Sequence, residues 1–147
     1  MSVDKVLIRK IREDDGDKIN RISAAITQEP VKVDFLEIAA TEARKAEDAS
    51  FVAVINDEVV GYMISYIVSG LFGIEKSAWI TMLGVDPKCM DQGIGKKLAE
   101  EIFAFYLEKG IKNIFTSVRW DSTDLLSFFK TLGFDRSSFI NLGRVLE

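Results

Sequence analysis

Between Val85 and Leu98 the chain reads Val-Asp-Pro-Lys-Cys-Met-Asp-Gln-Gly-Ile-Gly-Lys-Lys-Leu, a stretch suited to holding an anion. Gly93 and Gly95 open a helical pattern that runs to Gly110, and the first turn of a helix leaves backbone N–H groups without partners. The helix dipole places the equivalent of roughly half a positive charge there, worth about 0.3 to 1 kcal/mol to a nearby anion. Lys96 and Lys97 add to it. The glycines have two readings: they let a ligand reach the backbone, or they let the helix pack closely on its neighbours. The spelling excludes two phosphate loops. A Walker loop needs Ser or Thr after Gly-Lys, and Lys97 follows Lys96; the dinucleotide fingerprint needs a third glycine where Leu98 stands.

The elements that position this loop follow from periodicity. The apolar run from Trp79 to Val85 reads as a strand ended by Pro87, which cannot donate to a sheet ladder. The helix from Gly93 carries Leu98, Ile102 and Phe105 on one face, with Lys96, Lys97, Glu100, Glu101 and Glu108 on its solvated side, and Gly110 caps it. A strand over Ile111–Val118 then completes a strand-helix-strand unit, which requires a parallel pair. Upstream, Val6–Arg12 is a first strand. Asp14 or Asp15 caps a helix with Ile19, Ile22 and Ile26 on one face, and a second helix runs from Asp34 to about Ala46 with Glu37 completing a capping-box variant. Phe51–Ile55 and Val59–Val68 form a hairpin across Asn56-Asp57-Glu58, and its far tip, Ser69–Gly73, presents Leu71 and Phe72. Asp121 or Ser122 caps a short helix ending at Gly133, and Phe134 and Phe139–Leu146 read as two closing strands.

Composition bounds the chemistry. With 147 residues, 48% hydrophobic and 29% charged, the chain has the balance of one ordinary globular domain, and the order of its strand and helix runs makes it α/β (α+β). A net charge of −4 argues against nucleic-acid partners, and neither a signal peptide at Met1–Lys5 nor a membrane-spanning run is evident, so a cytoplasmic location is the expectation. A lone cysteine, Cys89, excludes an internal disulfide. Histidine is absent, which removes Ser-His and Cys-His nucleophiles and most zinc sites, so no metal is expected.

The pattern Val85-x-Pro87, a spacer, then Met90-Asp91-Gln92-Gly93-Ile94-Gly95 and Leu98 resembles motif A of the GNAT superfamily of N-acetyltransferases, with Met90 where the family has Arg or Gln. A second stretch, Ser122-x-x-Leu125-x-x-Phe128-Phe129 through Gly133-Phe134, resembles the family's Asn-x-x-Ala-x-x-Phe-Tyr-x-x-x-Gly-Phe. The resemblance spans the whole chain. It implies a single domain over 1–147 with the GNAT (acyl-CoA N-acyltransferase) fold, a central mixed, mostly antiparallel sheet of six to seven strands flanked by about four helices. It also implies that acetyl coenzyme A lies where the strand before the loop and the strand after its helix splay apart. The main chain of Leu83, Gly84 and Val85 would pair with the pantetheine arm. Met90, Asp91, Gln92, Gly93, Ile94, Gly95 and Lys96 would wrap the pyrophosphate, and Ser122 and Phe129 would complete the set.

What the resemblance implies for the acceptor is a primary amine of a small molecule or of a peptide N-terminus, attacking directly. A lysine-like amine is about 3.4 units from neutral at pH 7, a cost of about 4.6 kcal/mol, whereas an α-amine costs about 1. The positions where relatives carry their base or acid hold Trp79, Ser117 and Phe129. A displaced carboxylate, Glu75 or Glu37, acting through water is one alternative; another is positioning and the oxyanion contacts of the strand amides, with an already neutral amine; Ser117 is a further catalytic candidate. A catalytically weak or inactive acyl-CoA sensor is the reading from a different class. Tyr62, Tyr66 and Tyr106 are expected in the core or the cleft wall. A homodimer through the terminal strands or the Leu71–Phe72 tip is left open.

Overall fold

The structure is a computed structural model that describes residues 5–147; the leader reading at the N-terminus falls largely outside it. Five strands form one sheet in the order β1 (Leu7–Lys10), β2 (Phe51–Ile55), β3 (Glu58–Ser69), β4 (Lys76–Val85) and β5 (Ile114–Thr116). The first four are antiparallel neighbours, and β4–β5 is the parallel pair that the strand-helix-strand unit requires. The hairpin turns at Asn56 and Asp57, both in the left-handed region (φ 50° and 66°), which suits the right-handed twist of its strands.

Helices cover both faces of the sheet. On one lie α1 (Gly16–Thr27) and α2 (Phe35–Arg44), which bury Ile19, Ile22, Phe35 and Ala39 against Val52, Tyr62 and Ile64. On the other lies α3 (Ile94–Glu108), whose Leu98, Ala99 and Ile102 meet Ala53, Met63 and Ile80, with Phe129 of α4 (Thr123–Thr131) beside them. Each fully buried side chain of this kind contributes about 1.5 to 3 kcal/mol, so packing rather than helix propensity holds these short helices in place. Asp34 caps α2 by accepting from the Glu37 N–H at 3.1 Å. Asp15 precedes α1, but its carboxylate is taken by Arg9 and by the Arg12 N–H.

One polar cluster lies in the apolar interior. Tyr106 of α3 sends its hydroxyl between the Ala49 N–H (2.8 Å) and Ser65 Oγ (2.6 Å), and burial pushes its phenol up to about 12. It is a core residue, as expected.

The sheet has fewer strands than the six to seven expected. Among the described residues, β5 is three residues long rather than eight, and residues 135–147 form no ladder. Strand-forming residues need a half-buried surface to lie on, and beyond Phe139 this tail finds none: Ile140, Leu142, Val145 and Leu146 are all exposed. Phe139 packs on Phe72 of the hairpin tip and on Phe115, and Phe72 stays largely exposed. Ile26, expected on the buried face of α1, is half exposed. No helix among the described residues is long and apolar enough to cross a membrane.

Candidate active site

β4 and β5 pair only at Ala78–Ile114, Trp79–Phe115 and Ile80–Thr116. From Thr81 to Val85, β4 keeps its other neighbour, β3, and loses β5. A bulge sits at the point of divergence: Ser65 faces Ile80 and Ile64 faces Met82, leaving Thr81 as the extra residue. Alternate N–H and C=O groups of Thr81–Val85 therefore face open space instead of a strand. That space is a cavity of about 310 Å³ walled by Thr81, Met82 and Leu83 on one side, Thr116 and Ser117 on the other, and Phe129 of α4.

The far wall comes from α1, α2 and β3. Ser23, Phe35 and Tyr62 line it, with Tyr62 edge-on to Phe35 at 5.5 Å. Burial raises the Tyr62 phenol above its ordinary value, against the pull of the Ser23 hydroxyl. Gly84 makes this closure feasible: a Cβ there would meet the Tyr62 ring at 2.8 Å and Ile26 Cδ1 at 2.9 Å. Tyr62 and Ile26 occupy the space a side chain would take.

The unpaired edge of β4 leads through Asp86 and a single 3₁₀ turn (Pro87–Cys89) to the start of α3. Gly93 is the N-cap residue with φ 71°, has no side-chain cap, and would meet nothing within 4 Å if it carried a Cβ. The first helical bond is Lys97 N–H to Gly93 O at 3.1 Å, so the N–H groups of Ile94, Gly95 and Lys96 precede the ladder. Gly95 differs. A Cβ there would lie 3.1 Å from the Phe128 ring, so this glycine serves the contact between α3 and α4 rather than access for a ligand. Met90, Asp91 and Gln92 are exposed, Asp91 with φ 68°, and Lys96 stands 3.9 Å from Glu100. Ser122 sits at the N-cap of α4 without a side-chain cap bond.

The catalytic candidates are dispersed. Ser117 lines the cleft. Glu75 is exposed before β4, away from the cleft lining, where its backbone carbonyl accepts from Gly70, and nothing brings its carboxylate to β4's open edge. Glu37 lines a second cavity, under α2. Trp79 stacks on Phe115 and donates to Ser77. Phe129 is buried against Phe128 and Phe134. Among the described residues, no carboxylate lines the main cleft.

Sequence reading missed Glu42. It is 1% exposed, receives Ser50 Oγ on Oε1 at 2.9 Å, and lines the cavity under α2. The signal was present: Phe35, Ala39 and Glu42 share the buried stripe of α2 at helical spacing, and only one of them is charged. Thr81 was also missed, because a bulge has no spelling of its own.

The parting of the parallel pair beside a glycine-opened helix leaves an unpaired strand edge leading to the uncapped helix start. Residues 16–134 match the acetyltransferase (GNAT) family, and the chain belongs to it. Members of that family use acetyl-CoA. Over 93 residues the chain is 29% identical to a mycothiol acetyltransferase of Amycolatopsis mediterranei (strain U-32), covering 61% of this chain and 31% of that protein. The chain thus spans about a third of that relative's length. Among solved structures, an aminoglycoside acetyltransferase from an uncultured soil metagenomic sample superposes with a TM-score of 0.78 at 24% identity, over 97% of each chain. An aminoglycoside N-acetyltransferase in complex with CoA superposes with a TM-score of 0.81 at 16% identity, over 98% of this chain and 97% of that one.

Proposed function

We propose that the chain transfers acetyl from acetyl-CoA to a primary amine, on a small molecule or at a peptide N-terminus, by direct attack. The observation that carries this reading is the unpaired edge of β4 at Thr81–Val85, running to the glycine-opened start of α3. The residues fit the group: Gly93 leaves open space beside N–H groups that precede the helical ladder, and the cavity between β4 and β5 has room for a pantetheine arm. Leu83, Gly84 and Val85 would hold that arm, the segment from Met90 to Lys96 the diphosphate, and Ser122 and Phe129 the far wall. Acetyl-CoA supplies an activated acyl group as a thioester.

The amine nitrogen forms a bond to the thioester carbonyl carbon, the C–S bond breaks, and the nitrogen's proton leaves to water. The departing thiolate has the basicity of an ordinary thiol, with a pKa of about 8.5, so water can protonate it without a phenol at Phe129. Backbone N–H groups on β4's open edge would steady the developing oxyanion. With no carboxylate in the cleft lining, this chemistry suits an amine that is already substantially neutral.

The same observation favours a second reading, an acyl-CoA sensor that binds without turnover. One experiment separates them: thermal unfolding with and without acetyl-CoA, then free-thiol release with amino acids, peptides and polyamines. Stabilisation with thiol release supports the enzyme. Stabilisation with release no faster than hydrolysis supports the sensor. No stabilisation contradicts both.

A further inference from the structure

The cavity under α2, about 370 Å³, is walled by Glu37, Ile38, Thr41, Glu42, Lys45 and Tyr66. Its electrostatics are unusual for a site between a helix and a sheet. Glu42 Oε1 is committed to the fold through Ser50, but Oε2 is buried and accepts no hydrogen bond. An ionised oxygen left in that state is strongly disfavoured unless a cation answers it.

The chain supplies a provisional answer. Lys45 Nζ lies 3.4 Å from Glu42 Oε2, without hydrogen-bond geometry, 3.6 Å from Asp48 Oδ2, and 5.5 Å from the centre of the Tyr66 ring. Two carboxylates and an aromatic face are what an ammonium ion needs. The lysine filling this box is half exposed on a flexible stem, so displacing it into water costs little. Asp48 has its other oxygen on the Ile67 N–H, and Lys10 is held by the Asp48 carbonyl. Glu37, at the rim, is exposed.

Both cavities are walled by α2 and β3, Ile38 and Tyr66 in one and Phe35 and Tyr62 in the other. Tyr66 lies opposite Trp79 of β4, two residues before Thr81, which lines the main cleft. We infer that the cavity under α2 is an ammonium subsite for a second cationic group of the acceptor, filled by Lys45 until that acceptor binds. The acceptor is then a molecule with two amino groups, a weakly basic one at the open edge of β4 and a strongly basic one, held as its ammonium, between Glu42 and Tyr66. Calling it an acceptor subsite rests on the proposed transfer; its affinity for an ammonium does not.

Isothermal titration of the full chain in the presence of coenzyme A, with spermidine and with butylamine, reads the subsite without turnover. The wild type is expected to bind spermidine at least about tenfold more tightly than butylamine, the scale of one charge-assisted contact. That ratio is expected to collapse toward one in Glu42→Gln. In Lys45→Met, whose side chain is half exposed, spermidine affinity is expected to rise severalfold because the competing ammonium is gone. A purely structural Lys45–Glu42 pair would give no such rise. Equal affinities for the two amines in the wild type, or Lys45→Met no tighter than wild type, would overturn the inference. A spermidine preference that survives with no thiol release from acetyl-CoA leaves the subsite standing and removes the transferase reading instead.

Discussion

Gly93 and Gly95 are spelled alike and do different work. Gly93 faces open space at φ 71°, whereas Gly95 faces Phe128 at 3.1 Å. Asp tolerates the left-handed region better than most residues and suits a helix N-terminus, so Gly93→Asp should fold while placing a carboxylate against the diphosphate. The thermal shift that acetyl-CoA gives the wild type is expected to vanish in that variant; an undiminished shift would remove Gly93 from the site. Gly95→Ala is expected to cost about 1 kcal/mol in urea unfolding by crowding Phe128, while acetyl-CoA still binds. Loss of binding with unchanged stability would reverse these assignments. At Glu42, burial raises the carboxyl above its ordinary value, against the hydrogen bond from Ser50. The folded chain therefore holds that proton to higher pH than the unfolded chain. Its stabilising contribution is full below the ordinary carboxyl range and is lost as pH rises through the raised folded value. Wild-type stability relative to Glu42→Gln should fall as pH rises above the ordinary carboxyl range in urea titrations, and a difference independent of pH would contradict the raised carboxyl.

At the scale of elements, the decisive feature is where β4 parts from β5. Trp79 and Ile80 lie between two strands, and Thr81–Val85 have only one. Adding acetyl-CoA should slow hydrogen exchange at alternate amides from Thr81 to Val85 and leave those of Trp79 and Ile80 unaffected; uniform protection along β4 would point to general stiffening instead. The strand, the glycine-opened helix and the parallel pair were legible because each is written in local periodicity and punctuation: the apolar run of β4, Pro87, Gly93 and Gly110. The bulge at Thr81 was not, since it depends on the register between β3 and β4 rather than on residue type. The closing strands were misread for the converse reason. Phe139, Ile140 and Leu142 have strand-forming side chains, but a strand also needs a surface, and only Phe139 has one. Glu75 stands away from the cleft lining because it precedes the end of β4 that pairs with β5, and the strand opens at its other end.

Across the whole molecule, the sheet divides two tasks. Its α3 face carries the larger apolar core, from Met63 and Ile80 to Phe129, and fixes the glycine-opened helix end relative to β4. Its other face, under α1 and α2, carries Tyr62, Tyr66 and the buried Glu42, so the polar walls of both cavities lie on one side. On the proposed reading, a chain of net charge −4 steers an anionic cofactor poorly, so backbone groups at the start of α3 would carry most of the hold on it. The most direct test of that claim is a crystal structure of the chain grown with acetyl-CoA. The account predicts the diphosphate within about 3 Å of the N–H groups of Ile94, Gly95 and Lys96, with the pantetheine arm along Thr81–Val85. A diphosphate bound elsewhere, or those N–H groups satisfied by the protein's own atoms, would contradict it.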